Sequence, residues 1–291
     1  MNRILVIGGT GTVGREVLAQ LPTTGVQIRA LTRTPNRQGI PPHVEVVEGD
    51  LTVPASLDRA LDNIDTVFLV WVAPASAVEA GIDRIAKHAR RIVHLSAPLK
   101  APHPLFQQPN PSRTRAELLE RVIEASGLEW TFLQPGMFAA NALTWWAPQI
   151  RTGDTVRWPY LAAPTAPIDE RDIATVAVRA LCENGHGGAS YVLTGPESLT
   201  QGEQLSTIAR VIGRHLRLED LTADEARRTV MADLGFPAAL SNILLDAWAA
   251  AIGQPAYITS TFQEITGLPP RTFLHWATDH AAEIQARAAS V

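Results

Sequence analysis

Ile4-Leu5-Val6-Ile7-Gly8-Gly9-Thr10-Gly11-Thr12-Val13-Gly14 decides the fold of this 291-residue chain. Its first four residues form a short, fully apolar run, which is typical of a parallel strand buried on both faces. The glycines after it match Gly-x-Gly-x-x-Gly, and the amphipathic pattern from Val13 to Leu21 predicts a helix. A glycine-rich turn between such a strand and such a helix predicts a dinucleotide-binding unit.

Each glycine of the turn has a physical task in a unit of this kind. Gly8 and Gly9 allow a tight turn, Gly11 lets backbone amides approach a pyrophosphate, and Gly14 lets the helix pack close to the strand. The pyrophosphate then lies at the helix N-terminus, where free N–H groups and the helix dipole favour anions. A purely structural glycine turn is the alternative. The residues expected to hold the cofactor here are Gly8, Thr10, Gly11, Thr12 and Val13.

The end of the second predicted strand, residues 26–31, indicates which nicotinamide cofactor binds. A site for NAD places Asp or Glu there to bond the ribose 2′-hydroxyl. This chain has Arg33 instead, with Arg37 close enough to assist. A guanidinium can bind a 2′-phosphate through two parallel hydrogen bonds. The sequence therefore predicts NADPH, with a solvated loop arginine as the alternative for Arg33.

Two further strand ends are expected to complete the cofactor site. Asp50 and Leu51 follow the third strand, where the carboxylate can accept from the adenine amino group and the leucine can cover the ring. Capping of the following helix is an alternative role for Asp50. Trp71 and Val72 end the fourth strand and are expected beside the nicotinamide, at the switch point of the sheet.

Strand-like and helix-like segments alternate through the first half of the chain. Strands are predicted at 4–7, 26–31, 44–47, 67–72, 92–95 and 130–133, with helices at 13–21, 55–61, 75–89 and 114–126. This alternation predicts an α/β fold with a Rossmann-like, doubly wound parallel sheet.

The second half of the chain has a more helical pattern. Helices are predicted at 169–182, 201–213, 222–234, 238–251 and 271–288, and a short strand at 191–193. We expect an NAD(P)-binding domain over 1–150 and a smaller, mostly helical C-terminal substrate lobe over 151–291. Part of 165–195 is expected to return to the sheet.

The composition restricts partners and compartment. A net charge of −4 with no Lys/Arg cluster argues against nucleic-acid or anionic-membrane partners. The apolar runs are far shorter than the roughly 20 residues of a membrane helix. Cys182 is the only cysteine, so no internal disulfide forms, and no secretory signal is recognised at the N-terminus. We expect a cytoplasmic protein without a metal site.

Several stretches together carry a family resemblance. They are Gly8 to Gly14, Arg33, Gly49-Asp50, the stretch from Glu117 through Ser126-Gly127-Leu128-Glu129-Trp130-Thr131-Phe132-Leu133-Gln134-Pro135-Gly136-Met137-Phe138, and Thr266-Gly267-Leu268-Pro269-Pro270-Arg271-Thr272-Phe273 with Trp276 and His280. The chain resembles the NmrA-like branch of the atypical short-chain dehydrogenase/reductases, which includes triphenylmethane reductase and related quinone reductases. The resemblance implies a Rossmann-like NADP-binding domain and a small C-terminal substrate lobe. The usual Arg-Pro-Gly of the family is Gln134-Pro135-Gly136 here, so this chain lacks the guanidinium that makes the family's contact at this position.

The sequence excludes the Tyr-x-x-x-Lys pair with which the larger superfamily passes a proton. Four positions after Tyr160, Tyr191 and Tyr257 stand Pro164, Gly195 and Thr261. A conjugated acceptor such as a quinone can still take a hydride and be protonated later by solvent. We therefore expect an NADPH-dependent oxidoreductase acting on a quinone-like or conjugated small molecule. The alternatives are a non-redox cyclase, isomerase or dehydratase, and a non-catalytic NADP(H)-sensing regulatory protein.

Three residues are candidates for catalysis: Ser96, His103 and Tyr160. Ser96 follows the fifth strand and could bond the substrate or the ribose, or only cap the strand end. His103 lies in a proline-rich loop from 98 to 111, a candidate lid, and could donate a proton or be an exposed loop histidine. Arg115 and Glu117 begin the helix where the dyad lysine would otherwise lie, and Glu117 could serve only the helix N-terminus.

An aromatic group in the second half is expected to form the wall of a pocket for a flat, apolar substrate. Its members are Phe138, Trp145, Trp146, Trp158 and Tyr160. Ala97 and Asn141 are expected to face the same region. Ordinary core packing in a Trp-rich lobe is the alternative, and a homodimer is one assembly that the sequence allows.

Overall fold

Seven parallel strands form one sheet in a computed structural model of the chain, which describes residues 3–34, 39–108 and 111–286. The described residues contain eleven strands, seven of which form this sheet. They are β1 (Arg3–Ile7), β2 (Gln27–Thr32), β3 (Glu45–Glu48), β4 (Thr66–Leu69), β5 (Arg91–Leu95), β6 (Glu129–Pro135), β7 (Thr155–Pro159), β8 (Pro164–Thr165), β9 (Ala189–Leu193), β10 (Leu199–Thr200) and β11 (Arg217–Leu221).

The order of the main sheet is β3-β2-β1-β4-β5-β6-β9. Val6 of β1 pairs with Ala30 of β2 on one side and with Phe68 of β4 on the other. The chain builds outward from β1 in one direction and then returns to build from β4 in the other. The order therefore switches between β1 and β4, which is where doubly wound sheets bind their ligands. The predicted fold class is confirmed.

Fifteen α-helices lie within the described ranges. They are α1 (Thr12–Gln20), α2 (Asp58–Leu61), α3 (Val78–Ala86), α4 (Pro104–Gln107), α5 (Pro111–Ala125), α6 (Asn141–Trp145), α7 (Ala147–Thr152), α8 (Glu170–Cys182), α9 (Gln201–Val211), α10 (Ala223–Arg228), α11 (Val230–Asp233), α12 (Ala238–Ala251), α13 (Thr261–Thr266), α14 (Phe273–Asp279) and α15 (Ala281–Gln285). None of these helices is both long and apolar enough to span a bilayer.

Helices cover both faces of the sheet, which is why β1 and β4 consist almost entirely of buried apolar residues. α1 and α8 pack together on one face, and their buried residues include Val17 and Val176. α2, α3 and α5 cover the other face, with Ile82 and Ile123 among their buried residues. Burial on two sides removes the polar alternation that a half-exposed strand shows.

Residues 165–195 contain α8 and β9, and β9 extends the sheet by pairing parallel with β6. Asp169 begins α8 by accepting a hydrogen bond from the Arg171 backbone N–H, as an N-cap residue does. The division of the chain near residue 150 into a cofactor domain and a substrate lobe stays a prediction.

Four strands of the second half, β7, β8, β10 and β11, and two helix breaks were not predicted. β7 and β11 form a parallel pair, but β11 reads Arg-Leu-Glu-Asp-Leu, which has no apolar run. The predicted helix 222–234 is broken at Thr229 into α10 and α11. The predicted helix 271–288 starts at Phe273, where Thr272 caps it, and breaks at His280. The helical periodicity of the sequence continues through both breaks, so the pattern alone did not reveal them.

Candidate dinucleotide and substrate site

The glycine turn holds α1 directly against the end of β1. Gly8 has a φ of 92°, a left-handed conformation that favours glycine. A Cβ on Gly14 would lie 2.1 Å from the Gly8 carbonyl oxygen, so this contact tolerates no side chain. The first N–H groups of α1 have no acceptor within the helix and, with the helix dipole, suit an anion. The turn therefore fits the pyrophosphate of a dinucleotide.

A cleft of about 900 Å³ extends from this turn along the carboxyl edge of the sheet. Its lining residues are Ile7, Gly8, Thr10, Gly11, Arg15, Leu31, Thr32, Arg33, Thr34, Gly49, Asp50, Leu51, Thr52, Val70, Val72, Ala73 and Pro74. They come from the ends of β1, β2, β3 and β4, as a cofactor laid across the switch point requires. Of the predicted cofactor residues, Gly8, Thr10, Gly11, Arg33, Asp50, Leu51 and Val72 lie in this lining.

Two arginines lie at the end of the cleft beyond β2. Arg33 is exposed, and Arg15 is held by a 2.8 Å hydrogen bond from its Nε to the Thr10 carbonyl. Sequence reasoning missed Arg15, although it directly follows Gly14 and belongs to the first turn of α1. Arg37 lies outside the described residues. A pair of guanidinium groups here fits a 2′-phosphate better than a 2′-hydroxyl.

Asp50 forms a turn at the end of β3. Its Oδ1 accepts from the Thr52 backbone N–H at 2.7 Å and from the Thr52 hydroxyl at 2.8 Å. These hydrogen bonds, with a smaller contribution from the charge of Arg33, lower the pKa of the Asp50 carboxyl. The short 3₁₀ helix that follows has Val53 as its N-cap, so Asp50 caps a turn and not that helix. The charged carboxylate remains in the cleft lining as an acceptor.

Trp71 is turned away from the cleft. Its Nε1 donates to the Ala73 carbonyl at 2.8 Å, and its ring lies against Gly81 of α3. Val72, at 67% exposure, lines the cleft instead, together with Val70. The residues that line the cleft after β4 are therefore Val70 and Val72, and Trp71 is not among them.

Thr12 and Val13 lie at the start of α1 but outside the cleft lining. The Val13 side chain is buried in the core of the sheet. Any contact that Val13 makes with a pyrophosphate is therefore through its backbone N–H group, whereas Thr12 is exposed at the helix N-terminus.

A second, smaller cavity of about 200 Å³ follows the ends of β5 and β6. Its lining residues are Ala97, Pro98, Leu99, Leu105, Phe106, Gln108, Arg113, Pro135, Gly136, Met137, Ile243, Leu244, Ala247 and Trp248. β4 and β5 are parallel neighbours, so the cavity continues the sheet edge along which the cleft runs. Residues from the loop after β5, from the loop after β6 and from α12 together form a largely apolar wall.

Of the predicted substrate-pocket residues, Ala97 lies in this lining, whereas Phe138, Asn141, Trp145 and Trp158 do not. Trp145, Trp146, Trp158 and Trp248 form a cluster, which we call the Trp cluster. Trp158 is fully buried in it and stacks on Trp145 at 5.6 Å between ring centroids. Trp158 is therefore a core residue and not part of a pocket wall. The member of the Trp cluster that lines the cavity is Trp248, which sequence reasoning did not single out.

His103 and Tyr160 are occupied with local structure. His103 is buried and caps α4, since its Nδ1 accepts from the Leu105 backbone N–H at 3.2 Å. Its Nε2 lies 3.1 Å from the Pro255 carbonyl and is therefore the N–H donor to it. Tyr160 has a φ of 54° at the end of β7, and its side chain packs on the core of the lobe. Neither side chain lines the cavity, so neither is placed to donate a proton there.

Ser96 belongs to a small buried network that the sequence did not reveal. Its hydroxyl donates to Oε1 of Glu120 at 2.6 Å, and the Gln134 amide donates to the same oxygen at 2.8 Å. Glu120 lies on α5, whereas Ser96 and Gln134 lie at the ends of β5 and β6. Where the family has arginine, Gln134 thus supplies a neutral donor to a buried carboxylate.

The first part of α5 contributes one arginine to the cavity. Arg113 lines it and is held by Glu117, whose Oε1 lies 2.9 Å from its Nε, and by the Phe106 carbonyl at 3.0 Å. α5 begins at Pro111, earlier than predicted, so Glu117 falls in its second turn and pairs with Arg113. Arg115 is exposed and lies outside the cavity lining.

Comparisons with known proteins agree with this geometry. A family model described as NAD(P)H-binding matches residues 8–184. A (4-alkanoyl-5-oxo-2,5-dihydrofuran-3-yl)methyl phosphate reductase of Streptomyces griseus is 41% identical, with 96% of this chain and 98% of that protein covered. An NAD(P)H azoreductase of Xenophilus azovorans is 34% identical, with 96% and 98% covered.

Solved structures share the fold. An NADPH-dependent quinone oxidoreductase of Escherichia coli has a TM-score of 0.78 at 21% identity, over 95% of this chain and 98% of that one. Triphenylmethane reductase of Citrobacter sp., complexed with NADP(H), has a TM-score of 0.77 at 18% identity, over 96% and 99%. The resemblance drawn from the sequence is confirmed.

The redox hypothesis is also confirmed, because the similar proteins are named as reductases. With its glycine turn, cofactor cleft and relatives, this protein is an NAD(P)H-dependent reductase. The chain belongs to the NAD(P)H-binding family whose model matches residues 8–184.

Proposed function

We propose that the chain uses NADPH to reduce a conjugated double bond of a small, largely apolar molecule. The observation that carries this proposal is the apolar cavity at the ends of β5 and β6, on the same sheet edge as the cofactor cleft. A substrate seated there lies where a nicotinamide would reach if the adenosine half is bound beyond β2.

The composition of the cavity supports a conjugated acceptor over a simple ketone. Its lining contains no Asp, Glu, His, Tyr or Lys among the described residues, so it offers no ordinary proton donor. Reduction of one double bond adds a hydride at one end and a proton at the other. A bound reduced nicotinamide supplies the hydride, with its two electrons. A conjugated acceptor delocalises the resulting charge until solvent delivers the proton, whereas a ketone needs an acid beside it.

The apolar walls have two further tasks. Leu99, Leu105 and Met137 exclude water from the reacting bond, and Ile243 and Leu244 of α12 face the loops after β5 and β6 across the cavity. Holding an acceptor in one orientation there lowers the entropic part of the barrier. Arg33 and Arg15 support NADPH over NADH as the source of hydride.

The relatives narrow the substrate class. The Streptomyces griseus relative is named for a dihydrofuranone that carries an alkanoyl group, and the Xenophilus azovorans relative for azo compounds. For this chain we propose an unsaturated carbonyl compound or quinone whose apolar arm occupies the cavity. A cytoplasmic location and a homodimer are further proposals, which fractionation and sedimentation analysis would test.

The test is NADPH oxidation by purified protein with matched acceptors. The panel pairs unsaturated lactones and quinones with their saturated counterparts and includes an azo dye. We expect oxidation with the conjugated member of a pair and a product heavier by two hydrogens. Deuterium at C4 of NADPH should appear in that product. Binding of NADPH without turnover of any conjugated acceptor, or turnover of saturated ketones alone, would contradict the proposal.

A further inference from the structure

Glu120 places a buried carboxylate behind the ends of β5 and β6, next to the candidate substrate cavity. Its Oε1 accepts from the Ser96 hydroxyl at 2.6 Å and from the Gln134 amide at 2.8 Å. Ala97 and Pro135, the next residues after these two donors, both line the cavity. The carboxylate is thus one hydrogen bond away from the floor of the candidate substrate site.

The hydrogen bonds of Glu120 are those of an acceptor, the role of an ionised glutamate side chain. Two donors converge on one oxygen, and a carboxylate oxygen accepts such bonds better than the hydroxyl of a neutral acid would. Both donors are neutral groups. Within the described ranges, no lysine, arginine or histidine forms an ion pair with Glu120. The negative charge is therefore buried without a compensating cation.

The position of the charge relates it to the cofactor's reactive end. Arg15 and Arg33 would hold the adenosine half of a bound cofactor beyond β2, and its pyrophosphate would lie at the glycine turn. The other half must then extend past β4 toward β5, where Ser96 stands. A nicotinamide becomes positively charged when it loses a hydride, and a fixed anion in a poorly solvated site stabilises such a developing charge.

We propose that Glu120 is a positioning residue whose uncompensated charge favours the oxidised, cationic nicotinamide over the reduced one. The proposal rests on the NADPH use proposed above, but not on the identity of the substrate. Ser96 acquires a defined role in it. Its single proton is given to Glu120, so toward the cofactor or substrate its hydroxyl acts as an acceptor and not as a proton donor.

The test compares the dissociation constants of NADP⁺ and NADPH in charge variants. Glu120→Gln removes the charge but keeps an oxygen that can accept from Ser96. Gln134→Arg keeps the carboxylate and neutralises it with a guanidinium. We expect the ratio of the NADP⁺ constant to the NADPH constant to rise about fivefold or more in both variants. Glu124→Gln, an equal charge change on the exposed side of α5, should leave that ratio unchanged.

The readout separates this proposal from the proposed function, because cofactor binding needs no substrate. An unchanged ratio in a Glu120→Gln or Gln134→Arg protein that binds NADPH would overturn the proposal. An equal loss of affinity for both cofactor forms would also overturn it, since a merely structural role predicts that result. If Glu120→Gln does not fold, Gln134→Arg decides alone.

Discussion

The imidazole of His280 lies 3.4 Å from the carboxylate of Glu170, joining the C-terminal segment to the first turn of α8. The Trp276 indole donates to the same carboxylate at 3.1 Å, and Arg271 pairs with the buried Asp172 in the same first turn. The distal Thr-Gly-Leu-Pro-Pro-Arg-Thr-Phe motif with its Trp and His is therefore a clamp on α8. Its conspicuous residues hold α8 in place, and none of them lines the cofactor cleft.

This clamp predicts a pH-dependent stability. The hydrogen bond with Glu170 raises the pKa of His280, although burial opposes it. A folded-state pKa above the unfolded value gives stability that is complete below the unfolded pKa. That stability is lost as the pH rises through the folded one. We expect the difference in Tm between the wild type and His280→Gln to be largest in mildly acidic solution and to shrink toward alkaline pH. A difference independent of pH would contradict the protonated pair.

The close packing around Gly14 predicts that even one added methyl group is not tolerated at this position. In Gly14→Ala the new Cβ must displace the Gly8 carbonyl, which lies 2.1 Å away from its position. We expect a loss of about 3 kcal/mol or more in unfolding free energy, together with loss of NADPH binding. Gly153→Ala is the matched control, because Gly153 has an extended backbone and open space around it. Urea unfolding should place the control within about 0.5 kcal/mol of the wild type.

The position of Arg33 in the cleft predicts that this residue discriminates NADPH from NADH. Replacing it in Arg33→Ser removes a charged donor from the cleft, which should raise the NADPH dissociation constant about ten- to a hundredfold. The constant for NADH should stay the same, since NADH carries no 2′-phosphate. Arg228→Ser, an exposed arginine of α10, serves as the control. Equal weakening of both cofactors would show that Arg33 does not read the phosphate.

Replacing tryptophan by phenylalanine should lower the stability by different amounts at two positions of the Trp cluster. Trp158 and Trp248 are both fully buried, but the Trp158 Nε1 donates to Gln201 at 2.7 Å whereas the Trp248 Nε1 has no hydrogen-bond partner among the described residues. Trp158→Phe leaves a buried glutamine oxygen without that donor, so it should cost about 1–3 kcal/mol more than Trp248→Phe. Chemical denaturation of the two variants measures this difference. Equal costs would mean that the hydrogen bond contributes nothing.

The parts of the site that the sequence predicted are those built from consecutive residues. The glycine turn, Arg33 and Asp50-Leu51 stand at strand ends, which the apolar runs locate directly. Trp71 was placed on the wrong side because side chains alternate along an extended segment. Val70 and Val72 face the cleft together, so the residue between them must face the opposite way. That alternation was readable in the sequence.

Other parts depend on contacts between distant segments, which no local pattern contains. Glu120 meets Ser96 and Gln134 only after β5, β6 and α5 have packed, and α12 reaches the cavity from more than a hundred residues away. His103 looked like an exposed loop residue because its burial depends on Pro255. The sequence predicts the chemical character of these residues but not which other residues they contact.

The return of α8 and β9 to the sheet restricts how substrate preference can be moved between related enzymes. A chimera joined once, near residue 150, would exchange the helix that packs on α1 and the strand that borders β6, together with the cavity-lining residues of α12. The graft that leaves the sheet intact takes two separate pieces, residues 137–168 and the chain from residue 194 to its C-terminal end. The host retains the segment between them. Recombination of specificity in this fold therefore needs three junctions, and a single crossover would disrupt the core before it altered the pocket.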